Sequence, residues 1–469
     1  MVKKLSKLCL ILVSCSFVFL LYPKLALAEA TISNEEVMTA ITNAQVSADT
    51  AFMLVATALV MVMTPGLAFF YGGFVAQRNI LNTLMMSFLL MGIVGVTWVL
   101  WGYSLAFAPG LPFIGGLEWS FLLNVTFETK DYLPGEPADV VSYAPTIPHL
   151  AFMLYQGMFA VITPALISGA LVERISFKAY TLFVFLWSIF VYCPMAHMVW
   201  AKGGFLGLYG GIGSLDFAGG TVVHITSGAS AILAAIIVGK RSTYPDRLSA
   251  PNNVPFILLG AGLLWFGWFG FNGGSALASG GLATLAIVNT NTGAASAMIT
   301  WLLLEQFLRG KPTAVGAATG AVAGLVGITP AAGFVTPVSS ILIGSITSVC
   351  CFYAISLKVK LGLDDALDTF PVHGVGGTVG AILTGVFATT KVNEFGRDGL
   401  LSGNPMQVLI QLAGVVIAYI IALAGTYAIL FVLKQTVGLR LSKESEIQGM
   451  DINEHGEEAY GQEFTGGSL

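Results

Sequence analysis

"DTFPVHGVGGTVGAILTG", from Asp368 to Gly385, is apolar enough to cross a bilayer, yet it carries His373 near its start. "DFAGGTVVHITSGASAILAAIIVG", from Asp216 to Gly239, does the same with His224. In each case an aspartate stands eight positions before the histidine, Asp216 before His224 and Asp365 before His373. An ionisable ring inside a membrane span is costly and by default marks a functional pathway. The relation between these two stretches decides how the rest of the chain is read.

The chain has 469 residues, 56% hydrophobic and 10% charged, where a soluble domain carries about 25% charged residues. Most of it therefore faces lipid or other apolar surface. The 55 glycines suit helices that pack closely in a membrane. Net charge is -4 and there is no basic block, which argues against a nucleic-acid partner. Of the five cysteines, Cys9 and Cys15 lie in an N-terminal leader, Cys350 and Cys351 are adjacent, and Cys193 stands apart. This spacing gives neither a disulfide framework nor a CxxC metal site.

Residues 1–28 read as a cleaved signal peptide: Lys3, Lys4 and Lys7, an apolar run from Leu8 to Leu21, then a small-residue site at Ala26–Ala28. The alternative is an uncleaved extra helix. Residues 29–48 form an outer N-terminal segment. Eleven apolar segments come next, near or above the ~20 residues a spanning helix needs. They lie near 49–74, 82–107, 149–172, 178–199, 217–239, 254–275, 280–307, 313–332, 337–358, 368–390 and 406–433. The expected fold is thus an all-α polytopic membrane protein with its N-terminus outside. Charge supports that orientation. Arg78, Arg174, Lys178, Lys240, Arg241, Arg247, Arg309, Lys311, Lys358, Lys360, Lys434, Arg440 and Lys443 fall inside, and only Lys130, Lys202, Lys391 and Arg397 fall outside. The protein is expected in the cell (inner or plasma) membrane with a cytoplasmic tail, 434–469. The longest loop, about 108–148, is outside and mildly acidic.

The chain also echoes itself. "FYGG" at Phe70–Gly73 ends the first span and "FNGG" at Phe271–Gly274 the sixth; "ITPA" occurs at Ile162–Ala165 and at Ile328–Ala331; the Asp–His pairs sit on the fifth and tenth. Their shared order predicts two five-helix repeats, 49–239 and 254–390, plus an eleventh helix. Five is odd, so the repeats are inverted, a plan that places transporter sites at the repeat interface near mid-membrane. His224 then lies eight residues in from one face and His373 eight residues in from the other. Eight residues rise ~12 Å, and two such depths leave roughly 6 Å of a ~30 Å core. The two imidazoles are predicted to touch. Asp216 and Asp365 are read first as caps on free helix N–H groups, with proton attraction or relay as the second reading. Asp368 competes as cap of the tenth span.

"GYSLAF" at Gly102–Phe107, "GALVERISF" at Gly169–Phe177, "AHMVW" at Ala196–Trp200, "DFAGGTVVH" at Asp216–His224, "GWFGFNGGSA" at Gly267–Ala276, "AGLVGITPA" at Ala323–Ala331 and "FPVHGVGG" at Phe370–Gly377 together resemble the ammonium transporter (Amt/Mep/Rh) family, its Amt branch. The resemblance implies eleven helices, a homotrimer and one pore per subunit. It implies ammonium, ammonia or methylammonium as substrate, with no cofactor, metal or catalytic residue. By motif, Phe159 resembles an outer pore phenylalanine, Trp200 a vestibule tryptophan facing the cation, and Ser275 a hydroxyl that accepts a hydrogen bond from it. Phe271 resembles a second gate ring, and His224 and His373 the lumen pair. Gln156 and Tyr192 are lesser candidates near the mouth and wall, and Thr329 is placed on the pore by analogy. The tail resembles the family's regulatory tail, which implies a P-II-type nitrogen regulatory protein as partner; its own composition also fits a solvated, partly disordered segment, with His455 a tail residue.

The chemistry is decided by magnitudes. An aromatic face attracts ammonium by ~0.5–2 kcal/mol. A full charge at the bilayer centre costs several to more than ten kcal/mol. Removing a proton whose pKa lies about two units above neutral costs on the order of 3 kcal/mol. Deprotonation is the cheaper route through a narrow apolar pore, and burial keeps both imidazoles neutral. Two further readings remain open, a sensor of the same fold and a membrane metal or redox protein. A cotransporter of a large charged solute is disfavoured, since no Arg, Lys or Asp lies mid-span.

Overall fold

The computed structural model describes residues 33–129, 143–245 and 250–460. The expected signal peptide, Lys130, Arg247 and the last residues of the tail, 461–469, lie outside the described residues. The chain divides into two units, Met1–Ala48 and Asp49–Leu469. In the first, the described residues are almost all exposed and helical from Asn34. Ser33 and Glu36 close a reciprocal capping box there: Ser33 Oγ accepts from Glu36 N–H at 3.1 Å, and the Glu36 carboxylate accepts from Ser33 N–H at 2.8 Å. The first helix therefore starts well before the expected 49.

We number the helices α1 Asn34–Gly72, α2 Gln77–Phe107, α3 His149–Leu171, α4 Phe177–Trp200, α5 Gly220–Val238, α6 Val254–Ala276, α7 Gly281–Arg309, α8 Ala314–Ile328, α9 Pro337–Lys360, α10 Phe370–Phe387 and α11 Met406–Thr436. Nine of these are long and apolar enough to cross a membrane, by length and composition. The other two are α7, diluted by Asn289, Thr290 and Asn291, and α8, only 15 residues long. Each expected segment holds a helix, with ends shifted by a few residues apart from the early start of α1. A two-stranded antiparallel hairpin, β1 Gly110–Leu111 and β2 Ile114–Gly115, lies just after α2. Two short helices, α12 Lys443–Gln448 and α13 Met450–His455, end the fold.

Sequence patterning did not anticipate four π turns: Trp98–Gly102 in α2, Ser188–Tyr192 in α4, and the opening turns Gly220–Ile225 of α5 and Phe370–Val375 of α10. Such wide turns often occur at functional sites. Here two of them carry His224 and His373. Glycine lets α5 and α10 meet backbone to backbone at that level. A Cβ at Gly228 would overlap the backbone nitrogen of Gly374, and one at Gly377 would lie 2.9 Å from the Gly220 carbonyl and 3.0 Å from the His224 Cβ. Gly228 and Gly377 each stand four residues after a histidine, so both stretches use the same device of small residues at a close crossing.

The tail is held more firmly than its polarity implies. Asp451 accepts the backbone N–H groups of Leu81 and Asn82 at 3.0 and 2.8 Å, capping the first turns of α2. Met450 N–H donates to Asn79 Oδ1 at 2.9 Å, Phe177 N–H to Glu454 at 3.0 Å, and His455 Nε2 lies 3.0 Å from Asn82 Oδ1. The alternative of a solvated tail does not hold for Asp451 and Glu454, whose carboxylates are engaged by backbone N–H groups of α2 and α4.

Candidate functional site

A column of aromatic rings runs from α3 and α6 down to the α5–α10 crossing. Phe159 on α3 and Phe271 on α6 stack with centroids 4.1 Å apart. Trp200, at the end of α4, meets Phe159 edge-on at 5.8 Å. Its indole N–H donates to the Asp216 carbonyl at 3.0 Å, which fixes the ring plane. Below the stack, Phe271 lies 6.2 Å from His224, and Trp268 lies 5.5 Å from it. His224 and His373 then meet with Nδ1 atoms 3.2 Å apart and rings inclined by 28°. One Nδ1 donates and the other accepts, so the pair shares one proton along this contact. The matched depths in the sequence predict this meeting, and the backbone contact of Gly228 with Gly374 is the physical reason the rings reach.

Under the stacked phenylalanines lies a cavity of about 10 Å³. Its wall is apolar apart from His224 and His373, with Ile162, Leu166, Leu264 and Trp268 among the lining side chains. This is about the space of one small molecule. His224 Nε2 has no partner among the described residues. On the far side of His373 a second cavity of about 140 Å³ opens, lined by Tyr71, Trp301, Arg309, Asp368, Thr369 and His373.

The remaining candidates divide by environment. Ser275 Oγ donates to the Phe271 carbonyl at 2.9 Å and lies 3.3 Å from the Tyr155 hydroxyl. Tyr155, which sequence reasoning missed, donates to the Gly270 and Phe271 carbonyls at 3.0 and 2.8 Å and packs against Phe159 at 5.1 Å. It ties α3 to the end of α6. Gln156 is buried and its Oε1 has no partner among the described residues. Tyr192 packs on Trp98 at 6.2 Å. Thr329 does not face the cavity: its hydroxyl accepts from the Trp268 indole N–H at 2.8 Å and donates to the Leu325 carbonyl at 2.7 Å, so it steadies the ring beside His224. Trp268 was also missed, although "GWFGFNGG" places it one turn before Phe271.

The aspartates act as caps. The Asp216 carboxylate accepts four backbone N–H groups, from Gly219 to Val222, at 2.7–3.1 Å. Asp365 accepts from Thr369 and Phe370 at 3.1 and 2.7 Å. The Asp368 carboxylate pairs with Lys358 in place of a cap. The proton-relay reading gains no geometric support, because both Asp216 oxygens are engaged by backbone.

An ion network lies at the α3–α4 turn. Arg241 donates to Asp364 at 2.7 Å and to Glu173 at 2.9 Å, and Arg174 Nη2 donates to the Asp364 carbonyl at 2.6 Å. Burial alone would raise both carboxyls, but the charge and hydrogen bonds of Arg241 hold Asp364 and Glu173 below the usual carboxylate range. Burial pulls Arg174 down to about 10, against the pull of Asp364.

A mostly helical protein with membrane-length apolar helices and a small ring-lined cavity at two buried histidines has the features of a membrane protein that handles a small molecule. The sequence matches the profile of the Ammonium Transporter Family over residues 51–460. It is 49% identical over 413 residues to the ammonium transporter of Bacillus subtilis, covering 88% of this chain and 98% of that one. Among solved structures, Saccharomyces cerevisiae Mep2 superposes with a TM-score of 0.77 at 38% identity, covering 85% of this chain and 88% of that one. A sensor Amt protein gives the same TM-score, 0.77, at 29% identity, with coverage of 88% and 99%. The chain belongs to the ammonium transporter family, and its function is ammonium transport.

Proposed function

We propose that ammonium is recruited as a cation between Trp200, Phe159 and Ser275, loses its proton at the Phe159–Phe271 stack, and passes as ammonia along His224 and His373. The observation that carries this reading is the 3.2 Å contact of the two imidazoles inside an apolar cavity. A cation there would lose its hydration for a wall offering only two neutral rings, whereas ammonia both donates and accepts. The Trp200 face offers ~0.5–2 kcal/mol of attraction at the mouth. Ser275, whose proton goes to the Phe271 carbonyl, keeps its lone pairs for an N–H donor. Potassium, with no N–H, gains nothing directional from it.

The same reading assigns α7 and α8 as the two crossings that bring the total to eleven, with α1–α5 and α6–α10 as inverted repeats. The paired π turns, paired aspartate caps and paired glycines support it. It places the N-terminus outside, after cleavage of residues 1–28, and the tail in the cytoplasm, where a P-II-type protein would act. A homotrimer is supported by α7, on which Thr284 and Asn291 are exposed: polar groups that a neighbouring subunit covers better than lipid does. The chain carries no catalytic step in this reading.

Uptake of labelled methylammonium by a transporter-deficient cell tests the proposal. Wild type restores uptake; His373→Ala and His224→Ala abolish it while the protein remains in the membrane. Unchanged uptake by both variants overturns the histidine route. The name of one solved relative, a sensor Amt protein, keeps sensing as the second reading, and failure of wild type to restore uptake would favour it.

A further inference from the structure

The stretch "LPFIGGLEWSFLLNVTF", 111–127, connects helices outside any span, yet Glu118 is its one charge. It should be polar if it faced water. Instead Leu111, Phe113, Leu117, Phe121, Leu123 and Phe127 are all exposed, from 54% to 77%. Its backbone is fixed. The β1–β2 hairpin holds the first part. Ser104 Oγ donates to the Gly116 carbonyl at 2.9 Å and accepts Trp119 N–H at 3.0 Å. Trp119 stacks on Tyr103 at 5.5 Å and meets His149 at 4.7 Å. The inward side chains are thus used for docking, and the large outward ones are apolar, with Glu118, Asn124 and Thr126 exposed between them.

Depth is the second observation. The turn Ser120–Leu122 packs chiefly beside Trp98–Gly102 of α2 and to a lesser extent beside its last turns, Tyr103–Phe107. About five to nine residues separate those levels, so the loop folds back by roughly 8–13 Å along the helix. Phe121 and Leu122 take positive φ angles of 57° and 56° to make this turn, a conformation bulky residues rarely adopt. At that level α2 itself carries the exposed apolar side chains Val96 and Val99.

We infer that 111–127 is a re-entrant wedge whose outward face is seated among the acyl chains of the leaflet at the C-terminal end of α2. Its occupant is phospholipid, because the patch continues the exposed apolar surface of α2 and sets six exposed apolar side chains against a single charge, Glu118. Apolar rings at the membrane boundary anchor depth and tilt. The wedge therefore fixes how far α2 and the His149 end of α3 sit in the bilayer.

Wild-type protein reconstituted into phosphatidylcholine vesicles containing a phosphatidylcholine with an acyl-chain diazirine tests this without any substitution. After irradiation, peptides covering 111–127 should carry lipid adducts at a yield comparable to peptides containing Val96. Labelling of the Val96 peptides without labelling of 111–127 overturns the inference. Spin labels at Phe121→Cys, Leu123→Cys and Phe127→Cys, in a chain whose own cysteines are replaced, give the second reading. Oxygen collisions should exceed those of a water-soluble nickel complex, the reverse of Lys391→Cys. Nickel excess at these sites, meaning water, or low collision with both reagents, meaning cover by a second copy or by residues 130–142, would sink it.

Discussion

At the residue scale, the histidine pair exists because two glycines let two helix backbones touch. Gly228→Ala would drive a methyl into the backbone nitrogen of Gly374, and neither side can yield by rotating a side chain. The expected outcome is that α5 and α10 separate, the 3.2 Å contact is lost, and methylammonium uptake falls as far as it does for His373→Ala. Assembled protein with normal uptake would show the contact to be dispensable. The cap residues carry a different prediction. Asp216→Ala strips four backbone N–H groups of their acceptor at once, and a helix cap alone is worth ~0.5–2 kcal/mol. Thermal unfolding in detergent should drop by several degrees, with Asp365→Ala less affected because it serves two. The histidines and caps were legible in the sequence because each type is costly or oriented where it stands, whereas Phe159 and Phe271 stood out only through the resemblance of their motifs. Tyr155, Trp268 and the role of Thr329 were not, because they act through hydrogen bonds across helices far apart in sequence, such as Tyr155 to Gly270.

At the scale of elements, hydrophobic length located the helices but not the π turns, since a wider turn leaves no mark in apolar periodicity. Composition likewise misread the tail. Asp451, Glu454 and His455 look solvated until the free N–H groups at Leu81, Asn82 and Phe177 are placed beside them. Asp451→Ala should release α12 and α13, read as faster proteolysis after Lys443, with helical content otherwise unchanged. The ion network reaches the same region, for Glu173 accepts from Ala76 N–H at 2.8 Å and from Asn79 at 3.0 Å, and Asn79 in turn holds Met450. Glu173 and Asp364 have depressed folded-state pKa values. Their contribution is therefore complete above the unfolded values of about 4 and is lost as pH falls through the lower folded ones. The part of tail protection that runs through Glu173 and Asp364 should be flat from neutral pH to about 5 and fall only in stronger acid, whereas Asp451, raised by burial, works in the opposite sense. In Glu173→Gln tail protection should be weakened at every pH.

At the scale of the whole molecule, the pairing of the two Asp–His stretches was legible from short echoes, because each must carry its histidine to matching depth. Exposure of α7 was not, because a sequence records polarity and not what covers it. If Asn291 and Thr284 face another subunit, the protein purified in mild detergent should have the mass of three chains, and Asn291→Lys should shift it toward one.

The contact between Phe159 and Phe271 has a bioenergetic consequence. On the proposed route, rings stacked at 4.1 Å would interrupt a file of water across the membrane, leaving protons no continuous wire when substrate is absent. On that reading the protein could sit permanently in an energised membrane without discharging it. Vesicles loaded with a pH gradient should hold that gradient as long with the protein as without it, and Phe159→Ala should shorten its lifetime.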